Sequence, residues 1–172
     1  MEYTHVVHTF GPVVNQDSRI LILGSVPSVK SREAQFYYGH PQNRFWRVLA
    51  ALFEEETPRT VEEKKSFLLS RNIALWDVVE SCDIAGSSDS SIKNVTAHDM
   101  TVILRQAPIA AIYTNGGKAQ QLYGRYCRKE GVPKAVQLPS TSPANAAWNL
   151  ERLVAAWKQA LAEHLSLSYR KD

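Results

Sequence analysis

Cysteine is scarce in this 172-residue sequence, and the two cysteines present are not spaced for metal binding. Cys82 and Cys127 lie far apart, and neither belongs to a Cys-x-x-Cys motif or a Cys/His ligand pattern. A structural zinc site is therefore not expected. Two free thiols in a reducing compartment fit this usage best, with a disulfide between them as the alternative.

Long apolar runs and a secretion signal are also missing. The longest apolar stretches are far too short to span a bilayer, which needs about 20 apolar residues. Residues 1–8 lack the basic start and continuous apolar stretch of a signal peptide. We therefore expect a cytoplasmic protein without a membrane partner. The formal net charge of +3 permits a polyanionic partner without requiring one.

Several familiar catalytic and nucleotide-binding signatures are absent as well. The turn at 24–28, Gly-Ser-Val-Pro-Ser, lacks the Gly-Lys-Ser/Thr ending of a phosphate-binding P-loop and is not a dinucleotide fingerprint. Neither Ser25 nor Ser140 lies in a Gly-x-Ser-x-Gly elbow. A Ser-His-Asp hydrolase that uses His40 and Asp77 is therefore only weakly indicated.

The chain does contain an alternation of short buried strands and helix-length segments. Strands are predicted at 19–24, 72–79, 109–113 and 134–138. Helices are predicted at 43–53, 60–70, 95–106, 118–130 and 144–165, with the last residues frayed. This alternation indicates an α/β fold with a mainly parallel, about four-stranded sheet covered on both faces. The length suits one domain, residues 1–172, with a core at about 19–163.

The polar loops of this predicted sheet should meet in one crevice. Right-handed crossovers place every strand-to-helix loop outside the carboxyl ends of the strands. The loops concerned are 24–28, 76–91, 114–117 and 139–144. Residues 81–91 are predicted to form a long loop of small residues, and such loops are usually functional or mobile.

The segment 36–46 is rich in aromatic and polar side chains, and two interpretations are open. Its aromatic residues could pack in the core with the polar residues at the rim. Alternatively, Tyr37 or Tyr38 could stack on a flat ring while His40 and Asn43 form hydrogen bonds to its edge or to a water.

The hydroxyl-rich stretch Ser140, Thr141 and Ser142 is predicted to precede a helix that begins near Pro143. Hydroxyls and free backbone amides would then lie at the positive end of the helix dipole, where an anion could bind. The simpler interpretation is that Ser142 caps the helix.

Taken together and in order, these stretches resemble the uracil-DNA glycosylase superfamily, and within it the hypoxanthine-DNA glycosylases. The motifs that carry the resemblance are Leu23-Gly-Ser-Val-Pro-Ser28, Tyr37-Tyr-Gly-His-Pro-Gln-Asn-Arg-Phe-Trp46, Ala74-Leu-Trp-Asp-Val78 with Asp89-Ser-Ser-Ile92, Asn115-Gly116 and Leu138-Pro-Ser-Thr-Ser-Pro-Ala144. The resemblance implies a three-layer α/β/α sandwich. It also implies hydrolysis of the N-glycosidic bond of a damaged base that is flipped out of DNA, without metal or cofactor.

The resemblance assigns the catalytic work to the second of these motifs. Several relatives hold the attacking water with an Asp or Asn in the first motif, where this sequence has Val26. Valine cannot orient water, and the hypoxanthine branch shares this departure. By resemblance, Asn43 positions the water, with His40 as the second candidate.

The remaining roles are also carried over by resemblance. The expected base-binding residues are Gly24, Ser25, Pro27, Ser28, Tyr37, Tyr38 and Asn115. The expected DNA-binding residues are Ser140, Thr141, Ser142 and Lys118. No Schiff-base lysine is identified, with Lys30 and Lys118 the residues considered, so a monofunctional glycosylase is expected.

The sequence thus favours a monomeric base-excision repair enzyme whose partner is damaged duplex or single-stranded DNA, associated with the nucleoid in a prokaryote. Hypoxanthine is the favoured base and uracil the second. The competing hypothesis is a non-catalytic nucleic-acid or nucleotide-binding α/β module, which the valine at position 26 supports.

Overall fold

A computed structural model describes residues 2–165 and contains a four-stranded parallel sheet. Its strands are β2 (Ile20–Gly24), β3 (Ile73–Asp77), β6 (Ala111–Asn115) and β7 (Ala135–Leu138). Their order across the sheet is β3-β2-β6-β7. Every residue of β2 and β3 is buried, as expected for parallel strands covered on both faces. The predicted α/β fold with a four-stranded parallel sheet is confirmed.

Six helices accompany the strands within this part of the chain. They are α1 (Val29–Ala34), α2 (Phe45–Leu52), α3 (Val61–Ser70), α4 (Thr101–Leu104), α5 (Gly117–Tyr126) and α6 (Leu150–Leu161). Helix α2 packs against α6, α3 lies on β3, and α5 lies on β6 and β7. Between residues 2 and 165, no helix is long and apolar enough to cross a membrane.

A second sheet, which the sequence analysis did not predict, lies beside the first. It is antiparallel in the order β1-β4-β5, with β1 at Thr4–Val7, β4 at Val79–Ile84 and β5 at Lys93–Ala97. The predicted long loop at 81–91 is therefore wrong over residues 81–84, which belong to β4. From Ser81 to Ile84 buried residues alternate with more exposed polar ones, and this period of two identifies a half-buried strand.

The predicted helix at 95–106 is also wrong over its first half. Residues up to 97 belong to the edge strand β5, and only the short α4 is helical. Thr96 therefore caps no helix. The apolar residues of this segment fit either a helical face or an exposed strand, and pairing with β4 decides between the two.

Several predicted helix boundaries also shift. Helix α5 ends at Tyr126 rather than at 130. Helix α6 begins only at Leu150, where the Asn149 side chain accepts a hydrogen bond from the Arg152 amide. Helix α1 was not predicted, and Ser28 caps it. The residues predicted to fray at the end of the chain, 166–172, lie outside the described part.

Candidate active site

A cavity of about 330 Å³ opens at the carboxyl ends of the parallel strands. This volume is at the lower end of the range of about 300–1,000 Å³ that is typical of small-molecule sites. Every residue predicted to contact the base or to act in catalysis lines the cavity, and so do the three hydroxyl residues 140–142. Lys118 is the one predicted site residue outside its wall.

Gly24, Tyr38 and Asp77 form the bottom of the cavity, which we call the pocket floor. Gly24 and Asp77 are partners in the register of β2 and β3. A Cβ atom on Gly24 would lie 2.4 Å from Asp77 Oδ1 and 3.0 Å from the Tyr38 hydroxyl. Only glycine therefore lets these two polar groups approach the end of β2 so closely.

Asp77 is held in place by two histidines. The side chain is almost fully buried, and its Oδ2 accepts a hydrogen bond from His8 Nε2 at 2.8 Å. His98 Nδ1 donates to the backbone carbonyl of Asp77, also at 2.8 Å, while its ring stacks on Trp76. Burial lowers the pKa of His98 below its ordinary value. The two histidines, which do not line the pocket, therefore hold Asp77 in position.

The pocket floor also contains polar atoms without protein partners. The buried Tyr38 hydroxyl makes no hydrogen bond of good geometry to a described residue, although the Asn115 amide lies close enough to lower its pKa through a weak one. Burial, reinforced by Asp77, raises the pKa of Tyr38 far above its ordinary value, so the hydroxyl keeps its proton. A buried group without a partner typically costs about 1–3 kcal/mol.

The backbone of Tyr38 is itself unusual. Its φ of 51° lies in the left-handed region, which bulky residues rarely adopt and which marks functional sites when the surroundings enforce it. The ring stacks on Phe45 at 4.0 Å. Tyr37, by contrast, is a core residue whose hydroxyl donates to the Gly11 carbonyl. Of the two tyrosines, Tyr38 is the better placed to contact a ligand.

Asn43, Thr141 and Asn115 form a second group, which we call the amide cluster. Thr141 is fully buried and donates from Oγ1 to Asn43 Oδ1 at 2.8 Å. The same hydroxyl accepts a hydrogen bond from Asn115 Nδ2 at 2.9 Å. The Thr141 backbone amide donates to Asn115 Oδ1 at 3.0 Å. The cluster thus joins the end of β6 to two loops of the site.

Backbone donors fix the orientation of both asparagine side chains. The Phe45 amide can only donate, and it lies 2.9 Å from Asn43 Oδ1, so that atom is the carbonyl oxygen. With Thr141 as its second donor, this oxygen has both lone pairs occupied. The group that Asn43 has left to offer is therefore its amide N–H.

His40 presents a donor for a similar reason. Its Nδ1 lies 3.1 Å from the backbone amide of Gln42, which can only donate. Nδ1 therefore acts as an acceptor, and in the neutral ring the proton is on Nε2. In this tautomer His40 offers a hydrogen-bond donor rather than a basic nitrogen.

Arg44 ties the loop at 139–149 to the start of α2. Its guanidinium donates to the carbonyl oxygens of four residues in that loop, with Ser142 at 2.8 Å and the others at Thr141, Asn145 and Trp148. The Arg44 backbone amide also donates to the Thr141 carbonyl, at 3.0 Å. One side chain thus fixes the course of a loop about 100 residues away in sequence.

The loop at 139–149 does not have the conformation that the sequence predicts. Since α6 begins at Leu150, no helix starts near Pro143, and Ser142 is not an N-cap. The helix-dipole anion site and the simple cap are therefore both wrong. Within the loop, the Ser142 amide donates to the Ser140 hydroxyl. Ser140 packs against Gly116, whose φ of 95° favours glycine.

The mouth of the pocket carries a second carboxyl group. Asp89 Oδ1 accepts a long hydrogen bond of 3.4 Å from the Ser25 hydroxyl. Although the Asp89 residue is exposed, partial desolvation of its carboxyl group raises the pKa of that group above the ordinary value, while the hydrogen bond from Ser25 and the charge of Lys118 lower it. Lys118 lies on the first turn of α5 and donates to Gln121.

Sequence reasoning missed the roles of His8, Arg44, Asp77 and Asp89. Asp77 had a usable signal, because it ends a buried strand parallel to the one that ends at Gly24. The Ser-His-Asp arrangement considered for it is wrong, since its partner is His8 rather than His40. His8 carried no local signal at all.

No group of three or more His, Cys, Asp or Glu side chains among residues 2–165 is arranged to hold a metal ion.

Comparisons with known proteins agree with this geometry. The family model of the uracil DNA glycosylase superfamily matches residues 12–162. A hypoxanthine DNA glycosylase from Methanosarcina barkeri is 32% identical over 88% of this chain and 95% of that protein. One from Methanosarcina acetivorans is 37% identical over 83% of this chain and 90% of that protein.

The fold agrees as well. The solution NMR structure of a candidate uracil DNA glycosylase from Methanosarcina acetivorans superposes with a TM-score of 0.74. It is 31% identical in sequence and covers 90% of this chain and 95% of its own. The resemblance found in the sequence motifs is therefore confirmed. The chain belongs to the uracil DNA glycosylase superfamily.

Proposed function

We propose that this glycosylase hydrolyses the N-glycosidic bond of a deaminated base flipped out of DNA, with hypoxanthine as the preferred base and uracil as the second. The relatives named hypoxanthine DNA glycosylases support the base. The observation that carries the proposal is the amide cluster, which presents Asn43 to a nucleobase-sized pocket at the carboxyl ends of the parallel strands.

The pocket meets the chemical demands of glycoside cleavage. The bond breaks through an oxocarbenium-like state, so catalysis needs a placed water and donors for the charge on the departing base. Asn43 holds the water by donating from its amide to the water oxygen. His40 donates from Nε2 to the base as it leaves. Neither residue acts as a strong base.

The loop at 139–149 and Lys118 hold the DNA backbone in this proposal. Hydroxyls, amides and a lysine are the groups that usually contact phosphate, and such contacts position the nucleic acid without reading its sequence. Because Arg44 holds the loop in place, its contacts are set before DNA arrives.

We further propose that residues 1–172 act as one domain and as a monomer. The buried side chains of both sheets belong to one continuous core. The enzyme is proposed to be monofunctional, because neither Lys30 nor Lys118 lines the pocket in which a Schiff base would form.

A panel of duplexes tests the function. Each carries deoxyinosine, deoxyuridine, deoxyadenosine or deoxycytidine at one position, and abasic sites are detected as alkali-labile breaks. We expect breaks at deoxyinosine first, then at deoxyuridine, and only after alkali treatment. Borohydride should trap no covalent complex. Salt-sensitive binding without abasic sites would instead establish the non-catalytic module.

A further inference from the structure

We infer that Asp77 selects deaminated bases by accepting a hydrogen bond from the ring N–H that deamination creates. This inference rests on the proposed function and names the group that reads the base. The acceptor is Oδ1, the carboxylate oxygen at the pocket floor, and His8 holds that oxygen in position.

The location of Asp77 gives the first argument. Asp77 lines the pocket although it is only 4% exposed. The exposed part of its side chain can therefore contact only what occupies the pocket. Oδ1 lies directly above the end of β2, where a Cβ on Gly24 would come within 2.4 Å. A base that reaches the bottom of the pocket therefore meets this oxygen.

The hydrogen bonds of the two carboxylate oxygens give the second argument. Oδ2 is occupied by His8, whose side chain is 1% exposed. Oδ1 makes no hydrogen bond to any described residue, and the neighbouring Tyr38 hydroxyl has none either. A buried polar group is usually satisfied, so the Tyr38 hydroxyl matches a ligand that supplies an acceptor. Asp77 lines the same pocket and its Oδ1 has no donor among the described residues, so the same ligand can supply a donor to it.

His8 lies outside the matched part of the family. The superfamily model begins at residue 12, whereas His8 follows β1 in the segment before it. The His8 backbone amide donates to the Glu80 carbonyl, which places the imidazole behind Asp77. The N-terminal segment thus contributes to the pocket floor although it makes up none of its surface.

The chemistry of deamination supplies the third argument. Adenine N1 and cytosine N3 are acceptors, and each stands beside an exocyclic amino group that donates. In hypoxanthine N1 and uracil N3 the ring nitrogen carries a hydrogen, and its neighbour is a carbonyl oxygen. Deamination therefore exchanges donor and acceptor at both positions: the ring nitrogen becomes a donor and its exocyclic neighbour becomes an acceptor. Asp77 Oδ1 accepts from the ring N–H and Tyr38 donates to the carbonyl, whereas the parent bases face both groups with the wrong polarity.

This selection acts against adenine and cytosine. Guanine and thymine also carry a ring N–H beside a carbonyl, so Asp77 does not distinguish them from their deaminated counterparts. Sites that are built to hydrogen-bond one polar group reject an analogue that lacks it far better than they reject a difference in size. The preference for a deaminated base over its parent is thus placed on one carboxylate.

The test compares deoxyinosine with 1-methyldeoxyinosine, which lacks the N–H, in the same duplex. Wild-type excision should fall by about 10- to 100-fold on methylation, the effect of losing one hydrogen bond to a charged group. Asp77→Asn can retain the bond to His8 and turn its amide N–H toward the base. It should lose a similar factor on deoxyinosine, show no further loss on the methylated base, and narrow the preference over deoxyadenosine.

Asp89→Asn is the matched control, since it makes the same change at the pocket mouth. Its ratio between the two substrates should equal that of the wild type. If Asp77→Asn keeps the wild-type ratio of the two excision rates, whether or not both rates fall, the inference is wrong and Asp77 only supports the fold. Far-ultraviolet circular dichroism and melting curves establish that each variant is folded.

A binding measurement separates this inference from the proposed function. The intact protein is titrated with 9-methylhypoxanthine, 1,9-dimethylhypoxanthine and 9-methyladenine, followed by tryptophan fluorescence. Wild-type protein should prefer the first compound, and Asp77→Asn should lose that preference. This result would support the inference even if no duplex were cleaved, in which case the proposed function alone would fail. Equal binding of all three by the wild type would overturn the inference, whatever the excision assays show.

Discussion

The two sides of the pocket are built in opposite ways. In the amide cluster, both side-chain oxygens and the threonine hydroxyl are engaged by protein donors, and Arg44 fixes the adjoining loop. At the pocket floor, a carboxylate oxygen and a tyrosine hydroxyl have no partner within the described chain. The two sides therefore have different roles. One side is organised before the substrate arrives, and the other is completed by the base.

The largest effect is expected from Asn43, on the organised side. Asn43→Ala removes the amide that holds the water, so excision should fall by about 10²-fold or more while DNA binding is kept. Single-turnover rates and gel-shift titrations measure the two properties.

Asn43→Asp sharpens this prediction. A carboxylate can still accept from Thr141 and from the Phe45 amide, but it has no N–H to offer. It should therefore be as slow as Asn43→Ala in single-turnover assays. An aspartate variant near the wild-type rate would show instead that the side chain acts as an acceptor.

The next largest effect is expected at the pocket floor. Gly24→Ala places a methyl group only 2.4 Å from Asp77 Oδ1. Overpacking of this kind usually lowers the free energy of unfolding by about 1–3 kcal/mol. Excision of deoxyinosine should fall by roughly tenfold or more, because the displaced carboxylate no longer meets the base.

Gly124→Ala provides the control for Gly24. A Cβ there meets nothing within 4 Å, and the residue lies inside α5. It should raise the free energy of unfolding by about 0.5–1 kcal/mol and leave excision unchanged. Urea denaturation measures both variants. Similar behaviour of the two alanines would contradict the steric role assigned to Gly24.

A smaller effect is expected from the anchor of the loop. Arg44→Lys keeps the charge but cannot donate to four carbonyl groups at once, so the free energy of unfolding should fall by about 2 kcal/mol. Excision should fall less than in Asn43→Ala. Hydrogen exchange at 139–149 should accelerate while the strands stay protected, and unchanged exchange there would remove Arg44 from this role.

The smallest effect concerns the carboxyl group at the mouth. Because the pKa of Asp89 is raised in the folded protein, the native state binds its proton more tightly than the unfolded chain does. Stability should therefore fall slightly as the pH rises from the ordinary pKa of an aspartate, about 4, through the raised value. Asp89→Asn should melt slightly above the wild type at pH 7, and the two should converge in acid.

The parallel sheet could be predicted because its central strands are short continuous apolar runs that end in polar turns. β2 and β3 are completely buried, so their sequences carry almost no alternation to mislead the assignment. The second sheet could not be predicted so easily. β5 is largely exposed, with only Val95 and Ala97 partly buried against the core, and its pairing with β4 settles its conformation.

Part of the site could be predicted residue by residue, but its connections could not. Asn43 was expected to position the water, Asn115 to bind the base and Thr141 to bind DNA, and all three line the pocket. Nothing local indicates that Thr141 bonds both asparagines, since the bonds span 98 and 26 positions in the chain. The pairing of His8 with Asp77 spans 69 positions and depends on a strand that the sequence did not reveal.

The position of Arg44 directly after Asn43 limits how this enzyme could be redesigned. Loops that contact a substrate are usually the parts that can be exchanged between relatives. Here the loop at 139–149 supplies Thr141 to the amide cluster and four carbonyl groups to Arg44. A grafted loop would have to reproduce those oxygen positions, or it would misplace the Asn43 amide that is proposed to hold the water. New lesion preferences are therefore easier to introduce at the pocket floor, where Asp77 Oδ1 and the Tyr38 hydroxyl have no hydrogen-bond partner among the described residues.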